Sequence, residues 1–120
     1  MKAAKPTDWR IEALPESTAK IRLGRAFTKQ EMKQIRKGLV PQQMEDKWFI
    51  YWENDCLYFH RSWTGHCIYV ARFIEDAKEW RMIDAVANRD AEQYSEAVDE
   101  IDAQQISGLI DVLLLHREAQ

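Results

Sequence analysis

Hydrophobic and polar positions change their spacing twice along the chain. From Met32 the apolar residues Met32, Ile35 and Leu39 recur at helical intervals, with Lys29, Lys33, Arg36 and Lys37 on the opposite side. Thr28 and Glu31 form a capping box ahead of them, and Gly38 and Pro41 close the run, which predicts a short basic helix over 29–38. From Lys47 onward the pattern becomes aromatic and β-branched. Lys47 to Glu53 reads as a strand, Asn54-Asp55 as a two-residue type I′ turn, and Cys56 to Ser62 as the returning strand. Thr64-Gly65 turns the chain into a third strand, His66 to Phe73, and residues 75–78 turn it into a fourth, Glu79 to Ala87.

Helical spacing returns in the last third. Asp90 to Ala97 suits one or two helical turns. Asp102 then reads as a cap before the stripe of Ile106, Leu109, Ile110, Leu113 and Leu114. The first twenty residues are polar and broken by Pro6 and Pro15, so they are expected to be a partly irregular lead-in. The expected fold is α+β: an antiparallel meander of about four strands over 47–88, packed by a C-terminal helix at 103–116 and by the 29–38 helix. At 120 residues, 46% of them hydrophobic, the chain makes a single domain.

Charge adds an asymmetry to this outline. Residues 1–40 carry 10 Lys/Arg and 4 Asp/Glu, whereas residues 41–120 carry 7 and 16, giving +6 and −9 around a net charge of −3. Six acids and no base fall between Asp90 and Asp102. Such a surface repels duplex nucleic acid, whose binding depends on neutralising phosphates. The simplest use of the asymmetry is mutual attraction of the two halves within the fold, with the acidic run as a solvated helix face. Apolar runs fall far short of the roughly 20 residues that span a bilayer, and no secretory leader is visible. A soluble cytoplasmic protein is expected.

Ten of the thirteen aromatic residues lie between Trp48 and Trp80. With Asn54-Asp55 as the turn, Trp48 faces Arg61 and Phe49 faces His60. Trp48, Ile50, Trp52, Leu57, Phe59 and Arg61 then share one side of the sheet, and Phe49, Tyr51, Tyr58, His60 and Ser62 the other. Arg61 beside Trp48 is either a cation–π strut or part of an anion site in which the guanidinium grips phosphate. His60 is either a packed core imidazole or a switchable donor. The run from His60 to Gly65 sets a histidine, a fixed cation, two hydroxyls and an indole at a strand end, a grouping suited to phosphate or ribose.

Other chemistries fit less well. Cys56 and Cys67 fall near opposite ends of the second strand, roughly 17 Å apart at about 3.3 Å per residue, which argues against a shared zinc or a disulfide. A Ser62–His60 pair lacks a third member. The four glycines are isolated, with no phosphate-binding glycine loop, and the acidic run lacks EF-hand spacing. Neither a metal nor a cofactor is expected.

The segment Glu45-Asp46-Lys47-Trp48-Phe49-Ile50-Tyr51, with Leu57 to Gly65 and Ile68-Tyr69, resembles a group of small bacterial proteins and domains sharing a D-K-W-F…L-x-x-H-R-S-W-T-G core. Some of them occur with ADP-ribose-processing enzymes such as ADP-ribosylglycohydrolases and macrodomains. The resemblance spans about residues 20–75. It implies recognition of an ADP-ribose-like or other nucleotide-derived small molecule, in bacteria or phage, as a sequestered signal. The implied ligand-binding residues are Lys47, Trp48, His60, Arg61, Ser62, Trp63 and Thr64. A non-enzymatic binding module is the leading expectation. A small hydrolase or transferase acting on ADP-ribose derivatives, with His60 as acid or base, is the alternative. A protein-interaction subunit, docking through the basic helix or the acidic segment, is a third, and oligomerisation is compatible with each.

Overall fold

Asn54 and Asp55 both adopt left-handed backbone, with φ of 53° and 61°, and this turn sets the register of the central hairpin. It joins β2 (Trp48–Glu53) to β3 (Cys56–Arg61), pairing Trp48 with Arg61, Phe49 with His60 and Glu53 with Cys56 as the alternation predicts. The structure, a computed structural model, describes residues 3–95 and 99–117. It continues through β4 (Cys67–Glu75) and β5 (Glu79–Asn88), each antiparallel to its predecessor.

The sheet has five strands, not four. Thr18–Thr28 forms β1, which pairs antiparallel with β5 to give the order β1-β5-β4-β3-β2. Its inward residues Ile21 and Phe27 are buried, while Lys20, Arg22, Gly24 and Ala26 alternate outward. Those basic positions and the glycine make the segment look like a polar lead-in. Pairing with β5, some sixty residues away, supplies the missing hydrogen bonds. The outer edge of β1 is unpaired among the described residues.

α1 (Lys29–Ile35) starts on the predicted capping box: the Glu31 N–H donates to Thr28 Oγ1 at 3.0 Å, and the Thr28 N–H donates to Glu31 Oε1 at 2.9 Å. Beyond it Gly38 takes a φ of 65°. A Cβ there would lie 2.1 Å from the Ile50 carbonyl oxygen, so only glycine lets Leu39 exchange backbone hydrogen bonds with Ile50. That bridge covers the edge of β2.

α2 (Asp99–Leu109) begins earlier than the stripe suggests and runs on as a π-helical turn, Ile110–Leu114. Ile106, Ile110 and Leu114 bury against the same sheet face as Met32 and Ile35, forming the main core with Phe27, Trp48, Phe59, Tyr69 and Phe73. In place of the one or two helical turns expected over 90–97 the structure has a short turn at residues 91–93; residues 96–98 lie outside the described residues. The opposite face carries a smaller cluster of Phe49 and Tyr51, covered by Ala4, Trp9 and Ile11 of the lead-in. Among the described residues no helix is long and apolar enough to cross a membrane.

The charged halves do attract one another. Arg25 of β1 holds Asp111 through two hydrogen bonds of 3.1 and 2.6 Å, and Lys20 of β1 reaches Asp84 of β5 at 3.5 Å. The acidic run is not wholly a solvated face, however. Asp102 is fully buried inside α2 rather than capping it. Its Oδ2 lies 2.7 Å from Arg89, and its Oδ1 accepts from the hydroxyls of Tyr94 and Tyr69. Desolvating a carboxylate is tolerable only where a cation compensates the charge, here Arg89 on the Oδ2 side, with hydroxyl donors on the other oxygen.

Removing that carboxylate leaves a largely buried guanidinium with the exposed Asp99 alone and takes one acceptor from two phenols. Asp102→Ala should therefore lower unfolding stability by about 3 kcal/mol, seen as a lower urea midpoint at unchanged slope. A loss within a few tenths of a kcal/mol would mean that Asp99 alone keeps Arg89 satisfied.

Candidate functional site

Arg61 ends β3 directly opposite Trp48, and its guanidinium carbon sits 4.5 Å from the Trp48 ring centroid. Beneath it, Trp48 stacks on Tyr69 at 6.2 Å and 15°. The Tyr69 hydroxyl lies 2.6 Å from that of Tyr94, 2.9 Å from Asp102 Oδ1 and 2.7 Å from Gln105 Oε1. Two phenolic protons thus face two acceptors, and burial together with these bonds pushes the Tyr69 pKa far up. A column runs from the surface cation through indole and phenol to the buried carboxylate and Arg89.

Beyond Arg61 the chain makes a tight excursion before β4. The Gly65 N–H donates to the Arg61 carbonyl at 2.8 Å, and the Arg61 N–H to the His66 carbonyl at 2.9 Å. Gly65 has a φ of 81°, and a Cβ there would come within 2.6 Å of the Arg10 carbonyl oxygen. The lead-in can approach only because that side chain is absent: the Glu12 N–H donates to the Gly65 carbonyl and the Trp9 indole N–H to the Ser62 carbonyl.

Four of the seven predicted site residues, Lys47, Arg61, Trp63 and Thr64, line one concavity of about 280 Å³ with Gln93. Trp63 is 71% exposed, yet its indole N–H donates to the Met44 carbonyl at 2.8 Å, so a largely solvent-facing ring is held by one end. Neither Lys47 nor Arg61 has a carboxylate partner among the described residues, unlike Arg25, Arg72, Arg89 and Arg117. Thr64 accepts from the His66 N–H at 3.2 Å.

The other three residues do not line that concavity. Trp48 is almost completely buried below Arg61. Ser62 is buried, with its hydroxyl donating to the Asp46 carbonyl at 2.7 Å, which ties the loop before β2 to the end of β3. His60 points to the opposite sheet face, among Phe49 and Tyr51, and is 2% exposed. Its Nδ1 lies 2.9 Å from the Gly65 carbonyl oxygen, while Nε2 is buried without a partner among the described residues. Burial lowers its pKa, outweighing the Gly65 contact that raises it, so His60 is a neutral imidazole that shapes the 61–65 turn.

Sequence reasoning missed Gln93, which is presented by the turn after β5, where its Oε1 accepts from the buried Asn88 amide at 2.8 Å. Its neighbour Asp90 continues the turn by donating its backbone N–H to Asn88 Oδ1. An isolated glutamine in an acidic loop carries no motif, and only Asn88, buried at the end of a strand, hints at a structured turn. Cys56 pairs with Arg72 and Cys67 with His60, near opposite ends of β3, and both thiols are free. No cluster of metal-ligating side chains forms among the described residues. The chain matches no family model, no curated protein and no solved structure, so the reading of this site stands on its own geometry.

His60 makes a pH prediction. Its folded pKa lies below the unfolded value of about 6.5, so the unfolded state takes up the extra proton as pH falls. Stability should be flat above about pH 7 and decline below about pH 6.5, with a slope of at most about 1.4 kcal/mol per pH unit from this residue. His60→Gln should remove that share of the slope in urea titrations at pH 5 and 7. Equal slopes in the two proteins would show that His60 is protonated when folded. Burial also pushes the Cys67 thiol up to about 12. In native protein at pH 8 a disulfide reagent should therefore leave Cys67 unmodified, with both thiols reacting after denaturation.

Proposed function

We propose that the protein is a non-enzymatic binding module for a nucleotide-derived small molecule of the ADP-ribose type, whose nucleotide portion is held in the concavity beside Arg61. One observation carries this reading: two cations without carboxylate partners among the described residues, an exposed indole and two hydrogen-bonding side chains converge on a single hollow. A planar base can stack on Trp63, where base–aromatic contacts are typically worth about 1–3 kcal/mol. Phosphate oxygens suit Arg61, whose fork accepts them bidentately, with Lys47 as a second point charge. Thr64 and Gln93 offer hydroxyl and amide groups to a ribose.

His60 and Ser62 serve this site from beneath. One supports Gly65 and the other ties Lys47's loop to the strand end, so the cations are presented by a turn that is ordered before ligand arrives. Trp48 spreads the Arg61 guanidinium over its ring, limiting the side-chain freedom that binding would otherwise remove. A protein-docking role is the second reading, favoured by the exposure of Met44 beside Trp63.

Calorimetric titration with ADP-ribose separates the two. Binding should be measurable in the wild type. It should fall about 10- to 150-fold in Arg61→Ala, the range for a charge-assisted hydrogen bond, with unfolding shifted only by the loss of a cation–π contact of about 0.5–2 kcal/mol. Arg61→Lys should bind more weakly than wild type despite its charge, and Trp63→Ala should lose stacking without loss of stability. Variants that bind like wild type but melt much earlier would make Arg61 a structural strut and return Trp63 to the docking reading.

A further inference from the structure

A second cavity, of about 470 Å³, lies on the other side of Lys47, which lines both. Its walls are Leu39, Leu109, Val112 and the edge of Trp48, the indole that carries Arg61 on its face. Taken alone, the hollow beside Arg61, at about 280 Å³, falls just below the range for small-molecule sites, about 300–1,000 Å³. It has room for one nucleotide rather than for an extended ligand.

Three features of the second cavity suit a ligand. Gly108, within α2, lines it, and a Cβ added at that position would meet nothing within 4 Å. Glycine inside a helix is unfavourable relative to alanine, and no packing among the described residues requires it here; what it does is leave the wall open. Gln105 also lines the cavity, and its Oε1 is engaged by the Tyr69 and Tyr94 hydroxyls. That fixes the amide plane and leaves its nitrogen, which has no partner among the described residues, as a donor. At the rim Glu45 is an exposed carboxylate with no partner among the described residues.

Resting on the nucleotide reading above, we infer that this cavity takes the second nucleoside half of a ligand whose two halves are joined by a pyrophosphate. The apolar wall suits the flat face of a ring, the Gln105 nitrogen suits a ring or amide acceptor, and a carboxylate is the group that takes hydrogen bonds from a ribose diol. Lys47, at the boundary of the two cavities, is the cation for the bridging phosphates. A purely apolar occupant would leave Glu45 and Gln105 unused.

The test compares AMP, which fills one half-site, with NAD⁺, which fills two, by calorimetry on the full chain. NAD⁺ should bind at least about tenfold more tightly than AMP. Gly108→Leu, which fills the second cavity, should reduce NAD⁺ to the affinity of AMP and leave AMP unchanged, with a melting curve confirming the fold. Glu45→Gln, at an exposed position, should weaken NAD⁺ by about 3- to 10-fold, the worth of one ordinary hydrogen bond, again without touching AMP. Equal affinities of the two ligands for the wild type, or NAD⁺ binding indifferent to both variants, would overturn the inference while AMP binding upheld the site beside Arg61. If neither ligand binds the wild type while ADP-ribose does, this inference fails alone; if ADP-ribose does not bind either, the nucleotide reading fails and this inference falls with it.

Discussion

Burying the carboxylate of Asp102 commits α2 to one seat on the sheet. A helix held only by Ile106, Ile110 and Leu114 could slide by a turn at modest cost, since apolar contact is not directional. The carboxylate cannot slide, because Arg89 and the hydroxyls of Tyr69 and Tyr94 satisfy it at one position only. Arg89 follows directly on β5, Tyr69 belongs to β4 and Tyr94 to the turn between β5 and α2, so three parts of the chain meet at one charge. Because Tyr69 also stacks under Trp48, the same anchor sets the level of the indole on which Arg61 rests. The surface site therefore inherits its geometry from a charge in the interior.

The sheet works as two unequal layers about this anchor. One face is closed by α1, α2 and the π-helical turn. The other is closed in part by the lead-in, which reaches it through the positive-φ glycine at Gly65. This second cover is small in area but is pinned at Trp9 and Glu12, on either side of the turn that presents Trp63 and Thr64. An irregular segment thus buttresses the 61–65 turn from behind, and His60 fills the space between.

Much of the hairpin was legible because its information is local. Asn54-Asp55 dictates a turn, the turn dictates the pairing, and the pairing places Arg61 over Trp48 without reference to the rest of the chain. The Thr28–Glu31 cap is equally self-contained. β1 was not legible, because the inward alternation of Ile21 and Phe27 is diluted by Arg22, Gly24 and Arg25, and its partner lies far along the chain. Asp102 was misread for a related reason: an acid ahead of an apolar stripe signals a cap, and nothing local reveals two tyrosines and an arginine waiting in the core. The side of His60 was read correctly, among the aromatic residues opposite Arg61. Grouping it with Arg61 as a ligand contact reflected adjacency in sequence, whereas neighbours on a strand face opposite ways. Gln93 and Gln105 carry no pattern, and their placement follows entirely from the buried network.

The unpaired margin of β1 bears on how the protein behaves in a crowded solution. An eleven-residue strand whose outer row of amides and carbonyls is unpaired among the described residues is a template on which a second molecule could extend the sheet. Lys20 and Arg22 stand along that row, and the pairing with β5 slips by one residue between Arg22 and Arg25, bending the margin away from flatness. Two such margins brought together would set like charges against each other along a twisted seam. The basic alternation that disguises β1 as a polar tail thus gives this margin the charged composition that disfavours edge-to-edge pairing.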